Sequence, residues 1–289
     1  VVDERSLLSS LTSLLGEETI ANDCAIFTLD DTYLVATTDM LHEKTDFPPA
    51  MTDWQRGWMA VAASLSDIAA MGARPMLILL AVGLDRPDRF KSLMEGAVAC
   101  CREHGTVLGG GDIDSHQELT LVSTGIGRAA KDRIVRRTGA CIGDAICVTG
   151  ILGRAQAALK GHRQYELSLF QPHPRITEGV AIGYSGATSM MDISDGLALS
   201  LHDLAGVNTV GYEIHAAQLP LIPELPPDEA QEFALFGGGD YELLFTIPHT
   251  SLPLPGLDTY HIGDVIADHR VLLDGIPLPA QGYQHRWKE

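Results

Sequence analysis

Two hydrophobic periodicities alternate along the chain. Trp58, Val61, Ala62, Leu65 and Ala69 repeat at helical spacing, and Gly72 and Pro75 end that run. Phe90, Leu93, Met94, Ala97, Val98 and Cys101 mark a second helix, and Leu197, Leu201 and Leu204 a third that begins near Gly196. An amphipathic segment over 4–15 predicts another, with shorter helices near 152–160 and 175–184. Apolar runs between them predict strands near 24–29, 33–38, 76–84, 106–109, 118–127, 145–149, 188–193, 210–215, 241–247 and 259–266. Proline clusters at 219–227 and 248–255 read as loops. The stretch 129–144 is basic and lacks periodicity, which sets a domain boundary there and divides the chain into 1–138 and 139–289. The pattern predicts a two-domain α/β or α+β protein.

Composition narrows the function classes. The chain has 289 residues and a formal net charge of −18, so a phosphate-backbone ligand is disfavoured for want of clustered Lys and Arg. Nucleotides stay open if metal ions bring the positive charge. No apolar run is long enough to cross a bilayer, and the amphipathic, acid-led N-terminus does not resemble a signal peptide. Five cysteines without a CxxC spacing fit reduced thiols and a cytoplasmic location.

Some of the acids stand at element ends, beside residues that should be buried. "NDCAIF" puts Asp23 just before a strand, and "VATTDM" puts Thr37, Thr38 and Asp39 at a strand's end. "SLSDIAAMG" sets Asp67 in an apolar helix, where a carboxylate is costly unless a cation or hydrogen bonds satisfy it. "LGGGDIDS" supplies Asp112, and "MMDISDGL" supplies Asp192 and Asp195 around Ser194. Singly, each has a plainer explanation: Ser194 and Asp195 as helix caps, Asp67 as an acid bonded to a nearby loop. Together the six carboxylates suggest a cage for several magnesium ions, which take oxygen ligands and share them with substrate phosphates. Gly109–Gly111 and Gly237–Gly239 allow backbone amides to approach a phosphate or simply form tight turns. The "RRTGA" arginines are the basic spot near these loops, and Arg137 among them either holds a phosphate or is simply a surface arginine. The chain has no GxxxxGK[ST] motif, and the eleven histidines show no metal-ligand spacing in sequence.

The ordered set "NDCAIF", "TTDM", "SLSDIAAMGARP", "GGGD", "RRTGACIGDAICVTG", "MMDISDGL", "GGGDYELLFT" and "IGDV" resembles the thiamine-monophosphate kinases nearly end to end. These belong to the superfamily of aminoimidazole-ribonucleotide synthetase and selenophosphate synthetase. The resemblance implies an N-terminal domain whose strands form a barrel with a second subunit, a C-terminal α/β domain, and ATP with metals in the cleft. It implies magnesium ligands at Asp23, Thr37, Thr38, Asp39, Asp67, Asp112, Asp192 and Asp195, and ATP contacts at Gly111, Asp112, Arg137 and Ser194. The chain departs from the family at three places: Asn22 stands for a paired aspartate, Asp46 for an acceptor-contacting histidine and Gly239 for a glutamate. Tyr283 keeps the aromatic acceptor position. The implied reaction moves the γ-phosphoryl group of ATP onto the phosphate of thiamine monophosphate. Such an acceptor needs no general base, and none stands out. The three departures leave two alternatives: the same ATP site with another acceptor, and a metal- and nucleotide-binding protein without turnover.

Overall fold

β1 (Val2–Asp3) and α1 (Glu4–Leu15) open the computed structural model, which describes residues 2–16 and 21–287. β2 (Ala25–Leu29) and β3 (Thr32–His42) follow as a hairpin. Then come α2 (Asp53–Ala70), β4 (Arg74–Leu84), α3 (Phe90–Glu103), β5 (Leu108–Ser115) and β6 (Thr120–Ala130). These strands form a five-stranded sheet in the order β2-β3-β6-β4-β5. Along β6, burial alternates residue by residue, so one face is packed and the other open. α2 covers the packed face. A capping box starts it: the Thr52 hydroxyl accepts from Gln55 N at 3.2 Å, and Gln55 Oε1 accepts from Thr52 N at 2.9 Å.

The periodicity predicted one apolar face on α2, yet residues 57–66 are buried all round. The reason is that α2 is enclosed by the sheet, by α3 and by the second half of the chain. Two glycines set its distance from α3. A Cβ on Gly57 would lie 1.9 Å from Leu93 O, and one on Gly96 would lie 1.8 Å from Trp54 O. Each helix thus needs a missing side chain on the other.

The second half adds β7 (Asp144–Thr149), α4 (Arg154–Leu159), α5 (Glu166–Phe170), α6 (Ile176–Tyr184), β8 (Ser189–Ile193), α7 (Leu197–Val207) and β9 (Gly211–Ile214). It ends with α8 (Pro227–Phe236), β10 (Glu242–Pro248), β11 (Thr259–Ile266), β12 (Val271–Leu273), β13 (Ile276–Pro277) and β14 (Arg286–Trp287), the last paired with β1. The seven-stranded sheet runs β13-β12-β9-β11-β7-β10-β8. Its central strands are buried on both faces, which explains their unbroken apolar runs. Ala145, Cys147, Met190, Leu243 and Phe245 face the core shared with α2. Ile146, Val148, Met191, Ile193 and Leu244 face α7, whose Leu197, Leu201 and Leu204 pack there as their spacing predicts.

The structure differs from the sequence reading at six elements. α8 begins at Pro227, the last residue of the proline cluster, because proline suits the first helical position. β5 runs on through Gly109–Gly111 to Ser115, and β4 begins at Arg74, so Pro75 lies within a strand. β12 and β13 and the short α5 carry too few residues for a periodic signal. Among the described residues, no helix is long and apolar enough to cross a membrane.

Candidate active site

Strand alternation and one helix bring four of the predicted carboxylates together. On β3, Thr37 and Asp39 project toward α2, and Asp67 sits near the C-terminal end of α2. On β8, Asp192 shares the face of Met190, toward the same helix. Asp23 precedes β2. Oxygens of Asp23, Asp67 and Asp192 all lie within 4.8 Å of one another. The hydroxyl of Thr37 donates to Asp67 Oδ2. Ser64 Oγ donates to Asp39 Oδ2 at 2.6 Å, and Ser66 Oγ to Asp192 Oδ2 at 2.7 Å. Both serines are fully buried on α2, so the helix that carries Asp67 also orients its neighbours.

Arg137 is the cation at this cluster. Its Nε and Nη2 donate to Asp23 Oδ1 at 3.1 and 2.5 Å, and its backbone N–H donates to Asn22 Oδ1 at 3.3 Å. Asn22 therefore anchors the arginine segment. Asn208, at the end of α7, holds the same segment: Oδ1 accepts from Gly139 N (2.9 Å) and Ala140 N (3.2 Å), while Nδ2 donates to Arg137 O (2.9 Å). Sequence reasoning missed Ser64, Ser66 and Asn208; the short "SLSD" run was the available signal for the serines.

Crowding like charges away from water raises their proton affinity. Burial, with Asp39, Asp192 and Asp23 close by, holds the Asp67 carboxyl well above the usual range. Burial also raises Asp39, against the bond from Ser64. Asp192 is pushed up to about 7 by burial and then by Asp23, with Ser66 and Arg137 opposing. Asp23 Oδ2 is buried with no hydrogen-bond partner. An orphaned carboxylate oxygen among carboxylates is what a bound cation would satisfy, and an all-oxygen donor set suits magnesium.

Other predicted residues stand apart. Thr38 points to the open face of the sheet, opposite Thr37 and Asp39, and bonds Thr124 at 3.0 Å. Gly111 and Asp112 lie exposed on β5, the edge strand. Register runs Met40–Val122–Ala81–Asp112, three strand spacings or about 14 Å from β3. Within one chain, Asp112 does not join the cluster. Asp195 Oδ2 is 3.4 Å from Arg5 Nη2 of α1, and Arg5 also holds Asp203 at 2.6 Å.

The predicted acceptor residues gather on the other side of Ser194. Gly239 N donates to Ser194 O at 2.7 Å and Tyr283 N to Asp195 O at 3.0 Å, so the 237–240 loop and the C-terminal segment both dock on residues 194–195. A Cβ on Gly238 would lie 3.2 Å from Tyr283 Cβ, whereas one on Gly239 would turn toward Ala155. Asp46 Oδ2 accepts from His42 N and Thr45 Oγ1, each at 2.8 Å, and Oδ1 lies 3.9 Å from His285 Nε2. Tyr241 bridges the two groups: burial first, and then Asp39, Asp192, Asp195 and Asp46, push its hydroxyl upward.

Comparison with known proteins decides the family. The chain is 49% identical over 286 residues to the thiamine-monophosphate kinase of Methanospirillum hungatei, covering 99% of this chain and 100% of that one. It belongs to the thiamine-monophosphate kinase family. Another member, from Halobacterium salinarum, is 37% identical over 298 residues, covering 98% and 100% of the two chains. The family profile described as AIR synthase related protein, N-terminal domain, matches residues 21–129. Among solved structures, AaThiL complexed with AMPPCP and TMP superposes with a TM-score of 0.92 at 29% identity, over 98% of this chain and 97% of that one. The family is thus the one the motifs pointed to, and its fold is the one observed.

Proposed function

We propose that this chain transfers the γ-phosphoryl group of ATP to the phosphate of thiamine monophosphate, giving thiamine diphosphate. One observation carries the reading. Asp23, Asp67 and Asp192 meet in a buried cluster with an unsatisfied oxygen, in a chain that matches these kinases over its whole length. A related structure bound to AMPPCP, an ATP analogue, and to TMP supports both substrates.

Asp23, Asp39, Asp67 and Asp192 would hold magnesium, with Thr37 bonded to Asp67. Asp195, paired with Arg5, and Thr38, on the other face of the sheet, would reach a metal only beyond this group. Bound there, magnesium supplies the positive charge that neutralises the phosphates. The protein's own part is positioning. Arg137, fixed by Asp23 and Asn208, offers a guanidinium toward phosphate oxygens, and Ser194 offers its hydroxyl between the two aspartates. Asp46, Tyr283 and the loop at Gly239 would orient the acceptor. The attacking atom is already an oxyanion, so the site needs no base and gains rate by alignment.

The open sheet face fits a homodimer. Phe27, Leu29, Met40, Met76 and Ile113 are exposed apolar residues of the five-stranded sheet. In a pair of chains, β5 would carry Gly111 and Asp112 to the partner's carboxylates. In this reading the domains divide at 138/139, and the free, mostly buried thiols suit the cytoplasm. The deciding assay measures thiamine diphosphate formed from ATP and thiamine monophosphate in magnesium. ATP hydrolysis without thiamine diphosphate would reject the acceptor assignment.

A further inference from the structure

Three imidazoles and a carboxylate converge at the far end of the seven-stranded sheet. Asp264 Oδ1 lies 2.8 Å from His249 Nε2 and 3.2 Å from His261 Nε2, and its Oδ2 lies 4.0 Å from His215 Nε2. The ligand atoms of His249, His261 and Asp264 are all within 4.8 Å of one another, and the two rings stand edge to face at 5.1 Å. The residues come from three segments: after β9, after β10, and on β11.

A local irregularity builds this group. Residues three apart on a regular strand point to opposite faces. The pairing of β11 with β7 shifts between His261 and Gly263, so one extra residue is inserted and His261 and Asp264 share a face. Ile262 and Val265, also three apart, are both buried on the other side. The bulge therefore costs the core nothing while it turns the histidine toward the aspartate.

We propose that His215, His249, His261 and Asp264 bind one borderline transition-metal cation of the zinc class. Around a tetrahedral ion with bonds of ~2.0–2.1 Å, ligand atoms sit about 3.3 Å apart. Asp264 Oδ1 lies 2.8 and 3.2 Å from the nitrogens of His249 and His261, close to that spacing. His215, 4.0 Å from Oδ2, is the outlying fourth ligand that would move in on the ion. Imidazole nitrogens favour zinc, cobalt or nickel over magnesium, which prefers the all-oxygen cluster. His261 Nε2 now donates to Gly263 O at 2.8 Å, so the ring would carry its proton on Nδ1 when the ion binds, with no net change in charge. The four side chains are between 33% and 51% exposed, so an ion reaches them without unfolding. β10 pairs Leu243 with Asp192, and His249 lies six residues further on, about 20 Å from the acidic site. The ion would tie the ends of β9, β10 and β11 together and take no part in phosphoryl transfer.

The test dialyses the full chain against substoichiometric to equimolar zinc in a large excess of magnesium, then counts retained zinc and records the thermal midpoint. We expect one zinc per chain, a raised midpoint, and visible absorption bands of four-coordinate cobalt when cobalt replaces zinc. The double variant His249→Ala/His261→Ala should bind at least about tenfold more weakly, since even outer-shell losses cost that much. His261→Gln, which keeps a polar group beside Asp264, repeats the test with packing retained. Asp67→Asn, at the acidic site, should keep its zinc. The proposal is overturned if the native chain retains no zinc against magnesium. It is equally overturned if retention survives the histidine variants, or is lost instead with His173→Ala at the Glu103–His104–His173 group.

Discussion

Arg137 gives both its Nε and its Nη2 to a single oxygen of Asp23, while the other oxygen of that carboxylate is buried with no partner. The arginine thus neutralises half of the ligand and leaves the other half directed at the cluster. Arg137→Ala should strand a fully buried carboxylate, so we expect about 3 kcal/mol less stability in urea unfolding without metal. Saturating magnesium should recover part of that loss, and the KM for ATP should still rise.

Asp67→Asn and Asp192→Asn should each abolish turnover while the fold persists. Without metal these substitutions relieve repulsion among crowded carboxylates, so the thermal midpoint in a chelator should rise. In magnesium, the stabilisation seen for the native chain should shrink. Near-native turnover in both variants at saturating magnesium would remove the cluster from the mechanism.

The same crowding gives a pH dependence with a definite sign. Asp192 is raised from 3.8 to about 7 and Asp67 also upward, so the folded chain binds more protons than the unfolded one between those values. Stability from these groups is then full below about pH 4 and is lost as pH rises toward and past 7. Chelated protein should melt at a lower temperature at pH 8 than at pH 5. Magnesium, which needs the ionised carboxylates, should flatten or reverse that slope. Melting curves in chelator and in magnesium check both halves of the expectation.

Much of this was legible in the chain. Periodicity located α2, α3 and α7, and the element-end positions of Asp23, Asp39, Asp67 and Asp192 marked the cluster. Thr38 could have been separated from Thr37 and Asp39 by strand alternation alone. What could not be read was pairing across the chain: Ser66 meets Asp192 and Asn208 meets Arg137 only because of topology. Gly109–Gly111 hid a strand, since three residues without side chains give no period. α8 lay behind prolines, although Ala230, Phe233 and Ala234 already had helical spacing.

Gly57 and Gly96 make a structural prediction about the site. Either glycine replaced by alanine would put a methyl within 2 Å of a carbonyl oxygen on the facing helix. The helices must part, at about 1–3 kcal/mol for the overpacking. Because α2 carries Ser64, Ser66 and Asp67, Gly96→Ala should also lower kcat although it lies outside the site. Urea unfolding and steady-state kinetics on one preparation test the link.

Asp46→Asn preserves an oxygen for the turn at His42 while removing the charge. If that charge faces the cationic thiazolium ring, the KM for thiamine monophosphate should rise at least about tenfold with little change for ATP. An unchanged acceptor KM would assign Asp46 to its own turn alone.

The bond from Ser66 to Asp192 joins a helix of the first half to a strand of the second, and Asn208 to Arg137 joins them again. For natural recombination this has a plain result. A crossover in the basic stretch between the two sheets would exchange a whole sheet cleanly, yet would split both contacts between two lineages. Hybrids made there should work only where one donor supplies the serine and the other the matching aspartate and asparagine. The halves should therefore exchange only as a matched pair, even though each has a sheet of its own.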